Sequence, residues 1–379
     1  MGADESTGLT EQMSARRMHV LFLTDSLANG GTERQLALLV KNLPPDWEGR
    51  LWSLDSGPWA EDLRDAGFPV EIRSRAWRWD ITPAVHVWVL IQRWKPDIVH
   101  SWGWMGSMAA GPMCAALDIP LVDGSIRSGR LPRRRRLAQR LAMSWARRIV
   151  ANSRAGLDAW GIGPEKGRVV HNAFDASRLR GLPLQHASSD APFTVIMAGR
   201  MVPQKDYRTF FRAARLLSGQ SDGSWRFVAI GDGQESRSLL AENKDLIDAG
   251  VVEIPEPRIE VLELVAAANV GVLMTNASLH AEGCSNSIVE YMACGLPVIC
   301  SDGGGNRELV TDGETGFVVA PADAHHLANR LLWLKDNPEE SMRMGATGRV
   351  AVAEHFMVAK MVSQMIAIYD EARAATRKR

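Results

Sequence analysis

Short apolar runs alternate with amphipathic segments along most of the chain. The first run, HVLFLT at 19–24, breaks at Gly30 and Gly31, and a segment with helical periodicity follows over 32–43. Apolar runs bounded by turn residues are typical of strands buried in a parallel sheet. A strand, a glycine turn and a helix in this order form the first unit of a doubly wound α/β fold.

The same alternation returns in two series. Further strands are predicted at 97–101, 120–123 and 148–153 in the first series, and at 193–200, 226–231, 251–254, 270–274 and 297–301 in the second. The second series also predicts helices over 207–217, 235–246, 259–268 and from Asn286 onward. The stretch 176–191 between the series is rich in Pro, Ser and Gly and has no periodicity, which is typical of a linker. We therefore expect two Rossmann-like domains facing a central cleft.

This pattern also gives domain boundaries. Residues 1–17 are polar and are predicted to be a disordered tail, 18–178 the N-terminal domain, and 190–356 the C-terminal domain. The last predicted helix starts near 357 and has an apolar stripe, so we expect 357–379 to cross back to the N-terminal domain. A length of 379 residues agrees with two domains.

The cysteine content and the apolar runs indicate where in the cell the protein is expected. The four cysteines (Cys114, Cys284, Cys294 and Cys300) form no CxxC pair and no metal spacing with histidine, which favours buried thiols in a reduced compartment. The leader has no apolar core like that of a signal peptide, and no apolar run reaches the length of about 18 residues that a membrane span needs. We expect a cytoplasmic protein, with peripheral contact to the inner face of the cell membrane left open.

Charge is unevenly distributed although the formal net charge is zero. Lys and Arg outnumber Asp and Glu over 18–180 (23 − 16 = +7), whereas 181–379 are acidic (19 − 25 = −6). A basic N-terminal half favours an anionic partner such as phosphate or a lipid headgroup. No nucleic-acid recognition motif accompanies the charge, so nucleic acid is not expected as a partner.

The stretch from Arg127 to Arg148 carries nine arginines and no acidic residue. Leu137, Leu141 and Trp145 recur every four residues, which predicts a helix with an apolar stripe beside a basic face. One interpretation is contact with an anionic membrane surface that carries a lipid-linked acceptor. The alternatives are that the stripe packs on its own domain while the arginines are solvated, or that some arginines bind an acceptor phosphate.

A second unusual stretch, 77–94, is rich in tryptophan. Trp88 and Trp94 are expected to pack in a helix. Trp77 and Trp79 fall in a loop-like segment with Arg75, where packing is the expectation and stacking on a sugar or contact with a membrane is the alternative.

Candidate chemistry concentrates at Glu282 and Glu290. The residues after Glu282 form a small polar loop that enters a predicted helix: Gly283, Cys284, Ser285, Asn286 and Ser287. Backbone amides in a loop at a helix N-terminus bind anions, and two carboxylates beside them can hold hydroxyls at both ends of a phosphorylated ligand. The alternative is that Glu290 is a solvated helix carboxylate and Glu282 a capping residue.

Cations and glycines at other turns extend this hypothesis. Arg200 closes a predicted strand and Lys205 follows in GRMVPQKD, where ligands collect in open parallel sheets. Arg can bind two phosphate oxygens at once and Lys adds a point charge. Gly30 and Gly31 at the first turn allow close approach of a phosphate, although a simple tight turn explains them equally well.

GGTE near the start, AGRMVPQKD in the middle and EGCSNSIVEYMACGLPVICSDGGGNRELV later resemble the retaining family-4 glycosyltransferases of GT-B fold and their EX7E motif. The strings ANS and HNAFD extend the resemblance from about Met18 to the C-terminus. It implies that Arg200 and Lys205 hold the donor diphosphate, that Glu282 contacts the donor sugar, and that Glu290 contacts the ribose.

The resemblance also assigns positions outside these motifs. It places Gly31 near donor and acceptor phosphates and Arg258 beside the nucleobase. His100 would line the cleft, with a core histidine as the alternative. Where the family often has further histidines, this chain has Trp102 and the segment with Asp123 and Arg127. Asp123 and Arg127 are the candidates to substitute for them, and no single general base is assigned.

The resemblance implies a retaining hexosyltransferase that moves a sugar from a UDP- or GDP-type nucleoside diphosphate sugar to a glycan or lipid-linked acceptor, in cell-surface polysaccharide or glycolipid biosynthesis. The sequence has no Asp-x-Asp, the pair that commonly bridges a metal to the diphosphate, so we expect no metal and no required cofactor. The alternatives are a nucleotide-sugar 2-epimerase of the same fold and a non-catalytic family member.

Overall fold

The structure is a computed structural model that describes residues 17–126, 132–182, 191–219, 224–255, 261–279 and 281–375. The described residues divide into two compact units. The first lies within Met1–Gly124, Gln139–Arg147 and Tyr369–Arg379, and the second within Ser125–Ala138 and Arg148–Ile368. In the described chain, no helix has both the length and the apolar character to cross a membrane.

Seven parallel strands form the first sheet: β1 Met18–Thr24, β2 Trp47–Ser53, β3 Val70–Ile72, β4 Ile98–Ser101, β5 Leu121–Asp123, β6 Arg148–Ala151 and β7 Gly167–Val169. Their order is β3-β2-β1-β4-β5-β6-β7. The associated helices are α1 Gly31–Lys41, α2 Pro58–Asp65, α3 Thr82–Trp94, α4 Trp104–Ala116, α5 Arg133–Ser144, α6 Arg154–Trp160 and a 3-10 helix at Ala176–Leu179. Residues 20–23 of β1 are fully buried, as expected for a strand covered on both faces.

Six parallel strands form the second sheet: β8 Phe193–Ala198, β9 Trp225–Ile230, β10 Val252–Glu253, β11 Val270–Leu273, β12 Val298–Ser301 and β13 Gly316–Val319. Their order is β10-β9-β8-β11-β12-β13. The helices are α7 Tyr207–Ser218, α8 Ser236–Glu242, α9 Lys244–Asp248, α10 Val261–Ala266, α11 Asn286–Ala293, α12 Asn306–Leu309, α13 Ala324–Asp336, α14 Pro338–His355 and α15 Val358–Ala374. In each sheet the strand order reverses beside the first strand, which defines a doubly wound arrangement.

The predicted α/β fold with two parallel sheets is confirmed. One helix prediction differs in detail: the single helix expected over 235–246 is divided into α8 and α9 at Asn243, whose side-chain amide donates to the Leu239 carbonyl. Residues of α15 up to Ile368 belong to the second unit and those from Tyr369 to the first. The assignment of acceptor and donor roles to domains stays a prediction.

The apolar stripe expected on α5 is not packed. The leucines of this stripe are exposed, Leu137 by 72% and Leu141 by 49%. The helix instead buries Gln139, Ala142 and Met143. Packing of these two leucines on their own domain is therefore wrong, because the helix turns a different face to the domain. Part of the basic stretch, 127–131, lies outside the described residues.

The tryptophans after residue 76 also differ from expectation. Trp94 packs in α3 and stacks on His19 with ring centroids 5.0 Å apart, as expected. Trp77 and Trp79 are 62% and 76% exposed, so the expected packing is wrong for both. Trp88 lies in α3 as expected but is 38% exposed.

Candidate functional site

The candidate site lies where the strand order of the second sheet reverses. β8 and β11 are neighbours there, and their following loops lead to α7 and α11. Ligands of doubly wound folds bind outside the carboxyl ends of strands at this point. Arg200 and Lys205 lie in the loop after β8, and Glu282 lies in the loop after β11.

The loop after β8 is fixed by buried hydrogen bonds. The buried hydroxyl of Tyr207 donates to the carbonyls of Gly199 at 2.7 Å and Ile230 at 2.9 Å. The backbone at residue 231 lies so close to this loop that only glycine fits, because a Cβ there would lie 1.9 Å from the Gly199 carbonyl oxygen. The loop ends at Asp206, whose carboxylate caps α7 by accepting from the Thr209 amide at 3.0 Å. Arg200 projects from this loop and is exposed.

Lys205 and Glu282 form an ion pair. Nζ of Lys205 donates to Oε2 of Glu282 at 2.6 Å, and the two side chains are only 16% and 14% exposed. The Lys205 amide also donates to the Val202 carbonyl at 2.8 Å, and its backbone bridges to Thr275. The loops after β8 and β11 thus bring a cation and a carboxylate together across 77 positions of sequence.

Two glycines determine the backbone position of Glu282. The Gly305 amide donates to the Glu282 carbonyl at 2.7 Å. Gly304 has a φ of +58°, and a Cβ at this position would lie 2.1 Å from the Glu282 carbonyl oxygen. The backbone of Glu282 therefore requires the absence of a side chain at residue 304.

Glu290 lies in α11, which begins at Asn286 after the buried Ser285. Its Oε1 accepts from Nη1 of Arg178 at 2.7 Å, and the glutamate side chain is 8% exposed. Glu290 is therefore buried and paired, and the alternative of a solvated helix carboxylate is wrong. Helix N-termini such as that of α11 are in general favourable to anions.

An asparagine that sequence reasoning did not single out positions the loop before α11. The Asn172 side-chain amide donates to the Cys284 carbonyl at 2.7 Å and to Oδ1 of Asn286 at 2.8 Å. Burial raises the pKa of the Cys284 thiol to about 12, so the sulfur stays protonated. Gly283 is also enclosed, since a Cβ there would lie 2.4 Å from Oδ1 of Asn152. The only earlier signal for Asn172 was its place in the HNAFD string.

Glu308 is a second residue without an assigned role in the sequence analysis. Its carboxylate accepts from the Arg154 amide at 2.8 Å, the Ala155 amide at 2.9 Å and Nε2 of His171 at 3.3 Å. Burial raises its pKa, but the bonds from His171 and the two amides outweigh this, so the pKa lies below its ordinary value. Glu308 thereby caps the N-terminus of α6.

The remaining candidates lie elsewhere. Gly30 and Gly31 lie in the first unit, Gly30 as the N-cap residue of α1 and Gly31 as its first residue. The carboxylate of Glu33 occupies the space that a Gly30 side chain would need, 2.2 Å from its Cβ position. Arg258 and Arg127 lie outside the described residues, so their roles stay predictions.

His100 lies in β4 of the first unit and is fully buried. Its Nδ1 accepts from the Tyr369 hydroxyl at 2.7 Å and from the Trp102 indole at 3.3 Å, because an indole nitrogen only donates. Nε2 therefore carries the hydrogen, and it has no hydrogen-bond partner among the described residues. Burial lowers the pKa of His100 to about 3, which keeps the ring neutral. Asp123 is also fully buried and accepts from the Ser107 hydroxyl.

Metal ligands are not clustered in the parts of the chain that the structure describes: no group of three His, Cys, Asp or Glu side chains could hold an ion there. The expectation of a metal-free reaction stays a prediction.

The fold is shared with solved GT-B glycosyltransferases. Anabaena Alr3699/HepE in complex with UDP superposes with a TM-score of 0.79 at 20% identity, over 93% of this chain and all of the other. The same protein is also known in complex with UDP-glucose. At this identity the likeness shows the fold, so the class is an α/β protein of GT-B type.

Two families match the sequence. Residues 29–178 match the family described as Glycosyltransferase Family 4, and residues 183–351 match Glycosyl transferases group 1. Together they span most of the chain, which therefore belongs to the glycosyltransferases built from these two domains.

Similar proteins of named function include a D-inositol 3-phosphate glycosyltransferase of Acidothermus cellulolyticus. It is 27% identical over 343 residues, which is 84% of this chain and 70% of that protein. A colanic acid biosynthesis glycosyltransferase by name, WcaL of Salmonella typhimurium, is 31% identical over 183 residues, or 46% of this chain and 43% of its own. The chain spans between 52% and 70% of the length of the first three curated relatives that it matches.

Proposed function

We propose that this protein is a retaining glycosyltransferase that moves a hexose from a UDP- or GDP-type nucleoside diphosphate sugar to a hydroxyl of a glycan or lipid-linked acceptor. The observation that carries the proposal is the half-buried ion pair of Lys205 and Glu282 at the sheet position where doubly wound folds bind ligands. The donor contains a dianionic diphosphate, which the Lys205 ammonium can bind, and a sugar, whose hydroxyls the Glu282 carboxylate can accept from.

Each group would have a separate task in donor binding. Without donor, Lys205 is neutralised by Glu282, and with donor its remaining N–H groups face the diphosphate. Arg200, exposed beside it, adds a planar pair of donors. Glu282 accepts from sugar hydroxyls. Glu290 keeps Arg178 on Oε1 and accepts from the ribose diol with its other oxygen.

Other positions complete the donor site in this proposal. The loop residues Gly283, Cys284, Ser285 and Asn286 direct backbone amides to phosphate or sugar oxygens. Cys284 acts through its backbone, because its thiol is buried and protonated. Arg258 lies beside the nucleobase, as the family resemblance implies.

The first unit supplies the acceptor side. Gly30 and Gly31 form the N-terminus of α1, and a phosphate bound there would displace the Glu33 carboxylate, which lies 2.2 Å from the Cβ position of Gly30. His100 is neutral with its hydrogen on Nε2, so it offers an N–H donor there, and its other nitrogen already accepts from Tyr369 and Trp102.

The reaction breaks the bond between the anomeric carbon and the diphosphate oxygen and forms a bond from that carbon to the acceptor oxygen on the same face. The acceptor proton moves to a phosphate oxygen of the leaving nucleoside diphosphate. Lys205 and Arg200 stabilise the negative charge that develops on the leaving group, so the reaction needs no metal and no other cofactor.

The comparisons favour a nucleotide-sugar donor and a glycan product. HepE binds UDP and UDP-glucose by the titles of its structures, and the name of WcaL refers to colanic acid, a polysaccharide. We infer a place in cell-surface polysaccharide or glycolipid biosynthesis, in the cytoplasm at the inner face of the cell membrane. The arginines and exposed Leu137 and Leu141 of α5 favour contact with an anionic membrane.

The test is a panel of UDP-, GDP- and ADP-sugars, read by thermal shift and by slow hydrolysis of the donor. We expect one donor to stabilise the wild-type protein, and Lys205→Ala and Glu282→Gln to lose both responses. The matched control is Lys244→Ala, which removes an exposed ion pair with Asp248 and leaves both responses intact. If no sugar nucleotide is bound or hydrolysed, the proposal is wrong.

The same panel separates the alternatives. A nucleotide-sugar 2-epimerase would invert a stereocentre of the donor sugar without an acceptor, which NMR of the recovered nucleotide sugar detects. A non-catalytic member would lose no turnover in the Lys205→Ala variant, because it would have none.

A further inference from the structure

An exposed apolar surface runs along the outer side of the first unit, over the loop before α3 and one face of α3. We call it the tryptophan face, and its members are Trp77, Trp79, Ile81, Val85, Trp88 and Val89. Their exposed fractions range from 36% for Val89 to 76% for Trp79. Positions 81, 85, 88 and 89 follow the spacing of one helix face. Isolated exposed apolar residues are common on proteins, whereas grouped ones mark an interaction surface.

The opposite side of α3 accounts for the folding of the helix without the tryptophan face. It buries Pro83, Val87, Leu90 and Ile91 in the first unit. The helix is therefore apolar on both sides. On the outer side the indole N–H of Trp88 donates to the Ala109 carbonyl of α4, whereas Trp77, Trp79 and Ile81 are each more than 60% exposed. A helix with this pattern requires a second apolar environment.

The loop that presents Trp77 and Trp79 is held by a buried carboxylate. Asp80, 8% exposed, accepts from the Ala76 amide at 2.8 Å and from the Thr82 amide at 2.9 Å. It also accepts from the Thr82 hydroxyl at 2.7 Å. These bonds fix the loop around the two indoles, so their exposure is a property of a closed, hydrogen-bonded turn.

Basic residues border the tryptophan face at both ends. Arg73, Arg75 and Arg78 precede it, and Arg93 and Lys95 follow it, all of them exposed. The guanidinium of Arg78 lies 5.1 Å from the centre of a Trp79 ring. The only acidic residue over 73–95 is the buried Asp80, so the net charge of the segment is 5 − 1 = +4.

We propose that the tryptophan face inserts into the interface of an anionic lipid bilayer. Tryptophan suits this depth, because its ring is apolar and its N–H can stay hydrated, and arginine extends from the interface to lipid phosphates. This inference rests on the membrane contact proposed above and adds to the basic face of α5 a larger apolar contact through α3 and its preceding loop.

Charge distinguishes the bilayer from a second copy of the chain. A symmetric dimer through this face would place the same five cations of each copy against one another. An anionic membrane instead attracts each basic residue near its surface.

The experiment is flotation of the full chain with vesicles of phosphatidylcholine alone or mixed with phosphatidylglycerol. Trp77→Ser/Trp79→Ser tests insertion, and Arg75→Glu/Arg78→Glu tests the charge. The matched controls are Met342→Ser/Val350→Ser, which alters two exposed apolar residues of α14, and Arg237→Glu/Arg349→Glu, which reverses two exposed arginines. Arg134→Glu/Arg135→Glu reports on α5.

We expect the wild type and both controls to float with the anionic vesicles. The tryptophan variant should bind at least about tenfold more weakly, because two exposed indoles no longer transfer from water into the bilayer interface. The arginine variant should lose preference for anionic vesicles. Each altered surface residue is exposed, and a donor-induced thermal shift in the same samples confirms folding.

Three results would overturn the inference. The wild type could fail to float with either vesicle, or the tryptophan variant could float like the wild type while only the α5 variant is impaired. The tryptophan variant could also convert a dimer to a monomer without a change in flotation, which would identify a second copy as the occupant. Absence of any donor-induced shift in the wild type would instead refute the glycosyltransferase proposal and leave the flotation result standing.

Discussion

Substitution of Gly304 by alanine tests whether the backbone of Glu282 is set by the glycines of the loop after β12. Residue 304 has a φ of +58°, which costs an L-residue about 1–2 kcal/mol. Its Cβ would also lie 2.1 Å from the Glu282 carbonyl oxygen and 2.6 Å from the Glu282 nitrogen. Removal of this overlap requires the Glu282 backbone to move, and overpacking of this kind costs about 1–3 kcal/mol.

The expected loss of stability for Gly304→Ala is therefore about 2–5 kcal/mol, the sum of the two contributions. For a domain of this size that corresponds to a decrease in Tm of about 4–20 °C. A displaced Glu282 also breaks the bond of 2.7 Å from the Gly305 amide and changes the carboxylate that Lys205 contacts. We therefore expect the donor-induced thermal shift to be lost together with the stability.

Gly313→Ala is the matched control, since Gly313 has a φ of +79° and nothing lies within 4 Å of its Cβ position. This variant retains the backbone cost of about 1–2 kcal/mol and adds no overlap. Denaturant unfolding followed by donor titration compares the two variants. The reasoning is refuted if Gly304→Ala matches Gly313→Ala in stability and responds to donor like the wild type.

Three further predictions concern single side chains. Arg178→Met leaves the buried Glu290 carboxylate without its cation and should cost about 1–3 kcal/mol in denaturant unfolding, whereas an effect below the error of the method would refute the pairing. The pKa of Glu308 is lower in the folded protein than its unfolded value of about 4.3, so its ionised carboxylate stabilises the fold above that pH. This stabilisation is lost as the pH falls through the pKa of the folded protein, and Glu308→Gln removes it at every pH. The variant should therefore be less stable at neutral pH and show a shallower acid transition. Burial lowers the pKa of His100 to about 3, so on acidification the unfolded chain binds a proton at this residue before the folded protein does. The free energy of unfolding should therefore fall below about pH 6.5, by up to about 1.4 kcal/mol per pH unit. This part of the pH dependence should be absent from His100→Gln.

Much of the fold could be predicted because its strands are buried on both faces. β1, β8 and β9 each contain a run of four apolar residues in sequence, and β8 was predicted at its first residue. β2 was missed, since WEGRLWS mixes charged and apolar residues and gives no continuous run. Helices were predicted well where a polar cap or glycine marks the start, as at Gly31 for α1.

The charged residues of the candidate site could be predicted from the sequence, but the residues that position them could not. Lys205 and Glu282 each fall beside a strand end, so topology alone brings their loops together. Arg178 and Asn172 reach α11 and its preceding loop from more than 100 positions away. Contacts of that separation depend on packing, which local periodicity does not record.

Exposure is the property that sequence patterns predicted least well, and the tryptophan face shows the reason. Apolar residues are expected in the core because most of them are buried in folded proteins. In α3 two apolar faces compete for one core, and the face with Val87 and Leu90 fills it. The other face, with Trp88 and Val89, is left outside. Periodicity alone could not decide which face is buried, since both have helical spacing.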